Sequence, residues 1–376
     1  MFIYIFISLI LTGLAIINPK SKMIKKIVYL LLGIFLCTSY FNGSDWRHYE
    51  VMYKLATFED SSNFYAEKGF YIYMCIFKIL GFSFFEFFII TKFIIYYIFY
   101  KFLIKSSNFY LVLNIFYCHM ALFLFIDCPF RNLIAIGIVL LGIEKLKLEK
   151  KKSFFLYIIL ASLFHTSAIF FIVLFFIYRI NKLSNKKVML LLILSYILLL
   201  NQNILILIVK KLPFFEQRLQ VYFNTKYFVR NVFTAGSIEK ILLVSMIVLF
   251  RDQSKRKWRD YYPLIVLYFV LYRIATSFPI LTRFVYYIQV FYIMGIGLII
   301  EDLNKNKIFK NTIILLFFIY NVTILMGLKN RYEYIPYTSY LNYIGKEKPS
   351  YKYRSKYNFI KLQERIRKSS GDLRRN

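Results

Sequence analysis

Acidic side chains are scarce, 19 against 50 lysines and arginines in 376 residues, and so are glycine (13), proline (7), cysteine (4) and histidine (3). The cysteines, Cys37, Cys75, Cys118 and Cys128, are scattered in or beside apolar runs without metal spacing, so they read as buried free thiols. No Gly-rich phosphate loop, HExxH, GxSxG or paired-cysteine zinc motif occurs. That argues against nucleotide-driven and zinc-dependent catalysis, and neither a metal nor a cofactor is expected. There is no solenoid period, and no linker polar enough to mark a second soluble domain.

Apolar residues are abundant. They make up 59% of the chain and mean hydropathy is strongly positive, which excludes an ordinary soluble domain and implies many membrane helices. A net charge of +31 would suggest nucleic acid in a soluble protein. Here the basic residues lie mainly in short loops between apolar runs, where they set topology and meet anionic lipid, so membrane lipids and not nucleic acid are the expected partner. The excess of Lys, Ile, Phe, Tyr and Asn looks like an AT-rich coding sequence, and aromatic stripes are discounted accordingly.

The runs predict an all-α polytopic integral membrane protein of about ten transmembrane helices. Residues 2–17 form a first helix without a basic n-region or cleavage site, hence retained. Lys20, Lys22, Lys25 and Lys26 place the following loop inside, and 27–41 returns outside. The external loop 43–69 carries Asp45, Glu50, Glu59, Asp60 and Glu67. Residues 70–80 are too short to span and read as interfacial or re-entrant. Runs 84–104 and 109–126 cross to a polar corner at 127–132, and a returning helix ends near residue 146. Further spans fall at 188–209, 238–250, 261–280, 283–300 and 311–328. The whole divides into a membrane domain, 1–328, with external loops 43–69 and 210–237, and an aromatic and basic tail, 329–376. An external tail runs against the positive-inside trend.

The stretch 153–180 organises the rest. Lys150, Lys151 and Lys152 precede it, and Arg179, Lys182, Lys186 and Lys187 follow, so both ends face the cytoplasm. About 28 residues are too few for two crossings of roughly 20. A re-entrant helical hairpin satisfies both facts, with His165-Thr166-Ser167 as its apex; a single overlong helix with a core histidine is the competing reading. An imidazole deep in the membrane is a functional candidate.

Arg131, Arg273 and Arg283 fall at or near the outer ends of helices, with Arg218 and Arg230 in the loop above. Guanidinium forks bind phosphate oxygens bidentately, which suits a diphosphate substrate at the lipid surface; snorkelling to headgroups is the bland alternative. Asp45 follows Asn42-Gly43-Ser44 and can act as a general base, orient a sugar hydroxyl, or simply make a turn. Trp46, His48, Tyr49 and Tyr53 offer ring surfaces for sugars, Trp46 and Tyr49 foremost. His48 and His119 are weaker candidates than His165.

These residues resemble a family. GSDWRHYEVMY is similar to the G-x-D-x-x-x-Y signature of EpsG-family, Wzy-like polysaccharide polymerases. EKGFYIYMCIFKILG resembles their following segment, FRNLIAIGIVLLGI their R-Q-x-x-A helix, and LASLFHTSAIFFIV their A-x-x-F-H-x-S-A block. Arg283 with Tyr287, and Tyr334-Ile335-Pro336-Tyr337, match in kind. Asn132 departs from the family's Gln. The resemblance implies a GT-C-like glycosyltransferase of the bacterial cytoplasmic membrane. It would polymerise polyprenyl-diphosphate-linked oligosaccharide repeat units, donor and acceptor both lipid-linked, at the outer face, with a flippase and a chain-length regulator as further partners. A membrane O-acyltransferase and a transporter or flippase of lipid-linked sugars stay open beside it.

Overall fold

The computed structural model describes residues 1–58, 67–178, 180, 183–200, 235–250, 261–277, 281–302 and 307–372, and among these the chain is helical, with one isolated bridge between Ser39 and Ser339. Residues cluster into two compact units. The first comprises Met1–Ile143, Lys152–Ile169 and Asn306–Asn376, the second Glu144–Lys151 and Phe170–Lys305.

Local chemistry sets the helix ends of the first unit. Helix α1 (Phe2–Ile17) stops at Asn18, which takes the left-handed conformation (φ 49°) before Pro19. Helix α2 (Lys22–Cys37) starts under the Ser21 hydroxyl, five residues earlier than its apolar run, because lysines are good helix formers once a cap is present. Helices α3 (Trp46–Leu55) and α4 (Lys68–Ile79) follow. Ser83 and Glu86 form a reciprocal capping box at the start of α5 (Phe84–Leu103), and α4 and α5 bend by 120° across the break between them. Helix α6 (Phe109–Phe116) continues as a π-helical segment, Tyr117–Asp127, ended by left-handed Cys128 and Pro129.

Helix α7 (Phe130–Lys147) returns, and α8 (Lys151–Ser162) leads into the central stretch. The helix breaks over residues 163–165, overlapping the expected apex His165-Thr166-Ser167 at His165 alone, and resumes as a 3-10 helix, Thr166–Val173, which takes in Thr166 and Ser167, then α9 (Leu174–Ile177). The Lys151 ammonium lies 5.6 Å from the Phe175 ring centre, so the chain folds back to where it set out.

The second unit contains α10 (Asn185–Leu200), α11 (Ala235–Phe250), α12 (Tyr262–Ser277), α13 (Thr282–Val285) and α14 (Gln289–Asp302). Helix α12 packs on all four others, and Tyr268 stacks on Tyr292 at 4.4 Å. The run 283–300 is broken at residues 286–288 and is not one helix. The first unit closes with α15 (Lys307–Met326) and α16 (Tyr351–Asp372). Among the described residues, Phe109–Asp127 and Lys307–Met326 are each long and apolar enough to cross a membrane, and the α4 and α5 pair, bent by 120°, passes the same test only when its two helices are taken together, as a broken span or a re-entrant loop.

Helix α1 packs between α6 and α15, its Ser8 and Thr12 tied to Asn114 by bonds of 2.9 Å. After α15 the tail threads over the end of α2. The Tyr4 hydroxyl donates to the Tyr334 carbonyl (2.6 Å), Gly43 N–H to Glu333, and Asn42 pairs with Thr338 and Pro336. The tail therefore lies on the face from which residues 42–55 emerge.

Candidate functional site

Gly69 is the hinge on which the site is built. Its N–H and that of Phe70 donate to the Leu163 carbonyl (3.0 and 3.3 Å), seating the first turn of α4 against the break before His165. A β-carbon at residue 69 would stand 2.7 Å from Leu163 Cβ and 2.8 Å from its carbonyl oxygen, so only glycine admits this approach.

The contact brings Glu67, at the N-cap of α4, between two side chains from distant parts of the sequence. Glu67 Oε1 lies 3.2 Å from His165 Nδ1 and accepts from the Thr166 N–H, while Oε2 is bridged to Arg131 Nη1. Arg131 Nε donates in turn to the Tyr49 hydroxyl (3.4 Å). Arg131 stands in the first turn of α7 because Pro129 ends the preceding segment there, and its guanidinium is 28% exposed, against 14% for Glu67 and His165. Burial pushes the Glu67 carboxyl up, but the hydrogen bond with His165 and the Arg131 charge outweigh it and hold the carboxyl at about 2. Glu67 is thus an anion under working conditions.

Tyr49 reaches Arg131 from α3, its ring packed edge-on against Phe70 and Phe130 and buried. Asp45, one turn earlier, is half-buried at the N-cap of α3 and accepts from the Ser44 hydroxyl (3.3 Å). Ser44 is itself anchored through its N–H and hydroxyl to Asp127 Oδ1 at 3.1 and 2.9 Å. Gly43 (φ +85°) permits this turn, since a β-carbon there would meet the Ile126 carbonyl at 2.4 Å. Trp46 is buried against Phe85 and Tyr351.

The first unit therefore gathers His165, Arg131 and Tyr49 around Glu67, with Asp45 on the same short helix as Tyr49. The second unit holds Arg273 and Arg283. Arg273 is buried in α12, bonded to Thr276 (2.9 Å) and stacked over Tyr196; Arg283 is exposed in α13. Arg218 and Arg230 lie outside the described residues. His119 bonds Asn321 (2.9 Å) within the first unit, and His48 is exposed on α3. Asn132 is buried and its amide has no hydrogen-bond partner among the described residues.

Sequence reading counted Glu67 only among the acids of its loop. Two signals pointed to it: a carboxylate is a rare residue in so basic a chain, and it stands two residues before a glycine at a helix start. Glu50 was missed in the same way. Both its oxygens bond Arg354 of α16, at 2.6 and 2.7 Å, in a buried pair ringed by Tyr40, Trp46, Phe85 and Tyr351.

Compared with known proteins, the chain matches the family model described as the EpsG family over residues 22–339. No curated protein and no solved structure matches it.

Proposed function

The chain belongs to the EpsG family, and on that premise we propose that it is a membrane glycosyltransferase that polymerises polyprenyl-diphosphate-linked oligosaccharide repeat units. The observation that carries the reading is the grouping of Arg131 and His165 on the two oxygens of Glu67. In the tautomer that donates Nδ1–H to Glu67, His165 keeps its lone pair on Nε2. An acceptor sugar hydroxyl can give its proton there while its oxygen attacks the donor's anomeric carbon. The bond from that carbon to the diphosphate breaks, and polyprenyl diphosphate leaves.

Such a departure needs charge stabilisation more than it needs an enzyme nucleophile. Arg131 has Nε and Nη1 engaged, and its Nη2 edge remains for a phosphate oxygen. Arg273, Arg283, Arg218 and Arg230 are the further diphosphate ligands of this proposal. Asp45 orients the acceptor sugar. Tyr49 holds Arg131 through its hydroxyl. Both Tyr49 and Trp46 are buried among other rings, so the two expected sugar-binding rings support the site from within and offer no open face to a sugar.

The proposal sets the protein in the bacterial cytoplasmic membrane with the site at the external face, in a GT-C-like arrangement of about ten spans plus the 153–180 hairpin, and it admits a flippase and a chain-length regulator as partners. Incubating the purified protein with a lipid-linked repeat unit tests it. Chains of graded length and released polyprenyl diphosphate are expected from wild type. His165→Ala should abolish extension while donor still binds, and Asp45→Asn should lower it less. Transfer of an acyl group without diphosphate release would replace the reading with an acyltransferase.

A further inference from the structure

The C-terminal helix α16 begins beyond the last residue matched by the family model, yet it is seated on the unit that holds the site. Arg354, Asn358 and Leu362, four apart and all buried, form its inner stripe. Arg354 grips Glu50 and lies 5.0 Å over the Phe85 ring at the start of α5. Asn358 donates to the Phe41 carbonyl (2.8 Å) just past the end of α2, and Phe359 meets Tyr332 just past α15. The helix thus passes over the ends of α5, α2 and α15. At 1.5 Å per residue its 22 residues reach roughly 33 Å across the rim of the unit.

The remaining faces of α16 carry two kinds of exposed residue. Phe359, Ile360 and Ile366 are apolar and each nearly half exposed. Lys352, Lys356, Lys361, Arg365, Arg367 and Lys368 are basic and exposed; against these six the helix has two acids, Glu364, paired to Lys361 at 2.9 Å, and Asp372 at its last position. A water-facing helix has no use for the first set, and a span through hydrocarbon cannot carry the second. A helix lying in the headgroup region accommodates both. We propose that α16 is an interfacial helix that docks on the anionic lipid surface of the bilayer surrounding the protein. Its apolar residues enter below the headgroups and its cations meet phosphate. Through Arg354 and Glu50 this seat is transmitted to α3, which carries Tyr49 next to Glu50. The proposal does not depend on the reaction catalysed.

The test uses the full chain with Ile360→Cys carrying an environment-sensitive fluorophore, in nanodiscs of phosphatidylcholine alone or mixed with phosphatidylglycerol. The four native thiols are buried, so the label reports residue 360. Emission should shift to the blue on adding phosphatidylglycerol, and high salt should reverse much of the shift. In K356Q/K361Q/R367Q/K368Q, which leaves Arg354 in place, the lipid-dependent shift should be lost while the thermal unfolding profile stays that of wild type. If that variant does not fold, the salt titration of the labelled parent decides alone. Equal emission in the two lipid mixtures, or a shift insensitive to salt, overturns the proposal. A shift produced by an added acidic polysaccharide in neutral discs, and not by phosphatidylglycerol, overturns it in favour of a sugar chain as the occupant.

Discussion

His165 Nδ1 and Glu67 Oε1 stand 3.2 Å apart, and the second oxygen of the same carboxylate holds Arg131. One anion therefore orients an imidazole and a guanidinium together, and substituting it separates charge from shape. Glu67→Gln keeps the volume but offers a single acceptor oxygen and no charge. Extension from lipid-linked donor should fall roughly a hundredfold, the low end of what a misplaced general base costs. Its pH dependence also follows. Because the folded-state carboxyl is held at about 2, below its ordinary range, the stability it contributes is complete above about pH 4.5 and is lost as pH falls toward about 2. Acid unfolding of Glu67→Gln, followed by tryptophan fluorescence in detergent, should lack that component.

Gly69→Ala tests the seat of the same site without touching a charged group. The added methyl would overlap Leu163 backbone and side chain at 2.7 to 2.8 Å. Backbone must then move, at a cost of about 1–3 kcal/mol. Activity should drop at least tenfold with the expression level retained. Wild-type chain lengths from Gly69→Ala would show that the α4 contact does not position Glu67.

Arg354 and Glu50 form a buried pair 304 residues apart. Removing Arg354 leaves the buried Glu50 carboxylate with only the exposed Lys54 beside it (3.1 Å), so the loss falls below the about 3–5 kcal/mol of a buried charge left wholly unpaired. Arg354→Met alone should lower the Tm of the purified protein by several degrees. Combined with Glu50→Leu, much of the loss should return, because the aromatic cage then encloses an apolar pair. A double variant as unstable as the single one would assign the effect to cage packing.

What the sequence made legible is what depends on neighbours along the chain. The first helix, the long run ending at Asp127 and the break before Thr166 are local patterns of apolar length, proline and polar interruption, and each is in place. Arg131 at a helix start follows from Pro129 in the same way. Glu67 could not be paired in advance, since its partners lie 64 and 98 residues away and nothing local marks them. The 304-residue contact of Glu50 with Arg354 was hidden further, because α16 looks like a basic tail until its inner stripe is known. The π-helical turn of Tyr117–Asp127 has the same composition as an α-helix and leaves no periodic trace.

The fold-back of the central stretch has a topological consequence. Phe175 returns beside Lys151, and a re-entrant hairpin in the bilayer would keep the residues flanking the stretch on one side. Cysteines at Lys152→Cys and Ser184→Cys, both exposed positions, should share the same protection from an impermeant external thiol reagent in intact cells. The native thiols are buried and supply little background. Labelling at one position and not the other would sink the hairpin.

The arginines divide by surroundings, and a Lys series reads the division. Lysine keeps the charge of a guanidinium but presents a point charge in place of a fork. Arg131 uses two directions at once, Nη1 to Glu67 and Nε to Tyr49, and under the proposed function its other edge meets phosphate, so Arg131→Lys should cost roughly a hundredfold in extension, the scale of one lost charge-stabilising donor. Arg273 sits buried against Tyr196 and Thr276. A lysine there loses both the stacking and the Nη1 bond, so a fall in Tm should accompany any loss of activity. Arg283 is exposed, and Arg283→Lys should leave Tm unchanged; a rise in donor KM without a change in Tm would make it a diphosphate ligand, and unchanged kinetics would make it a headgroup contact only. Wild-type polymerisation in all three variants would return the set to snorkelling and leave His165 and Glu67 without a charged partner for the leaving group.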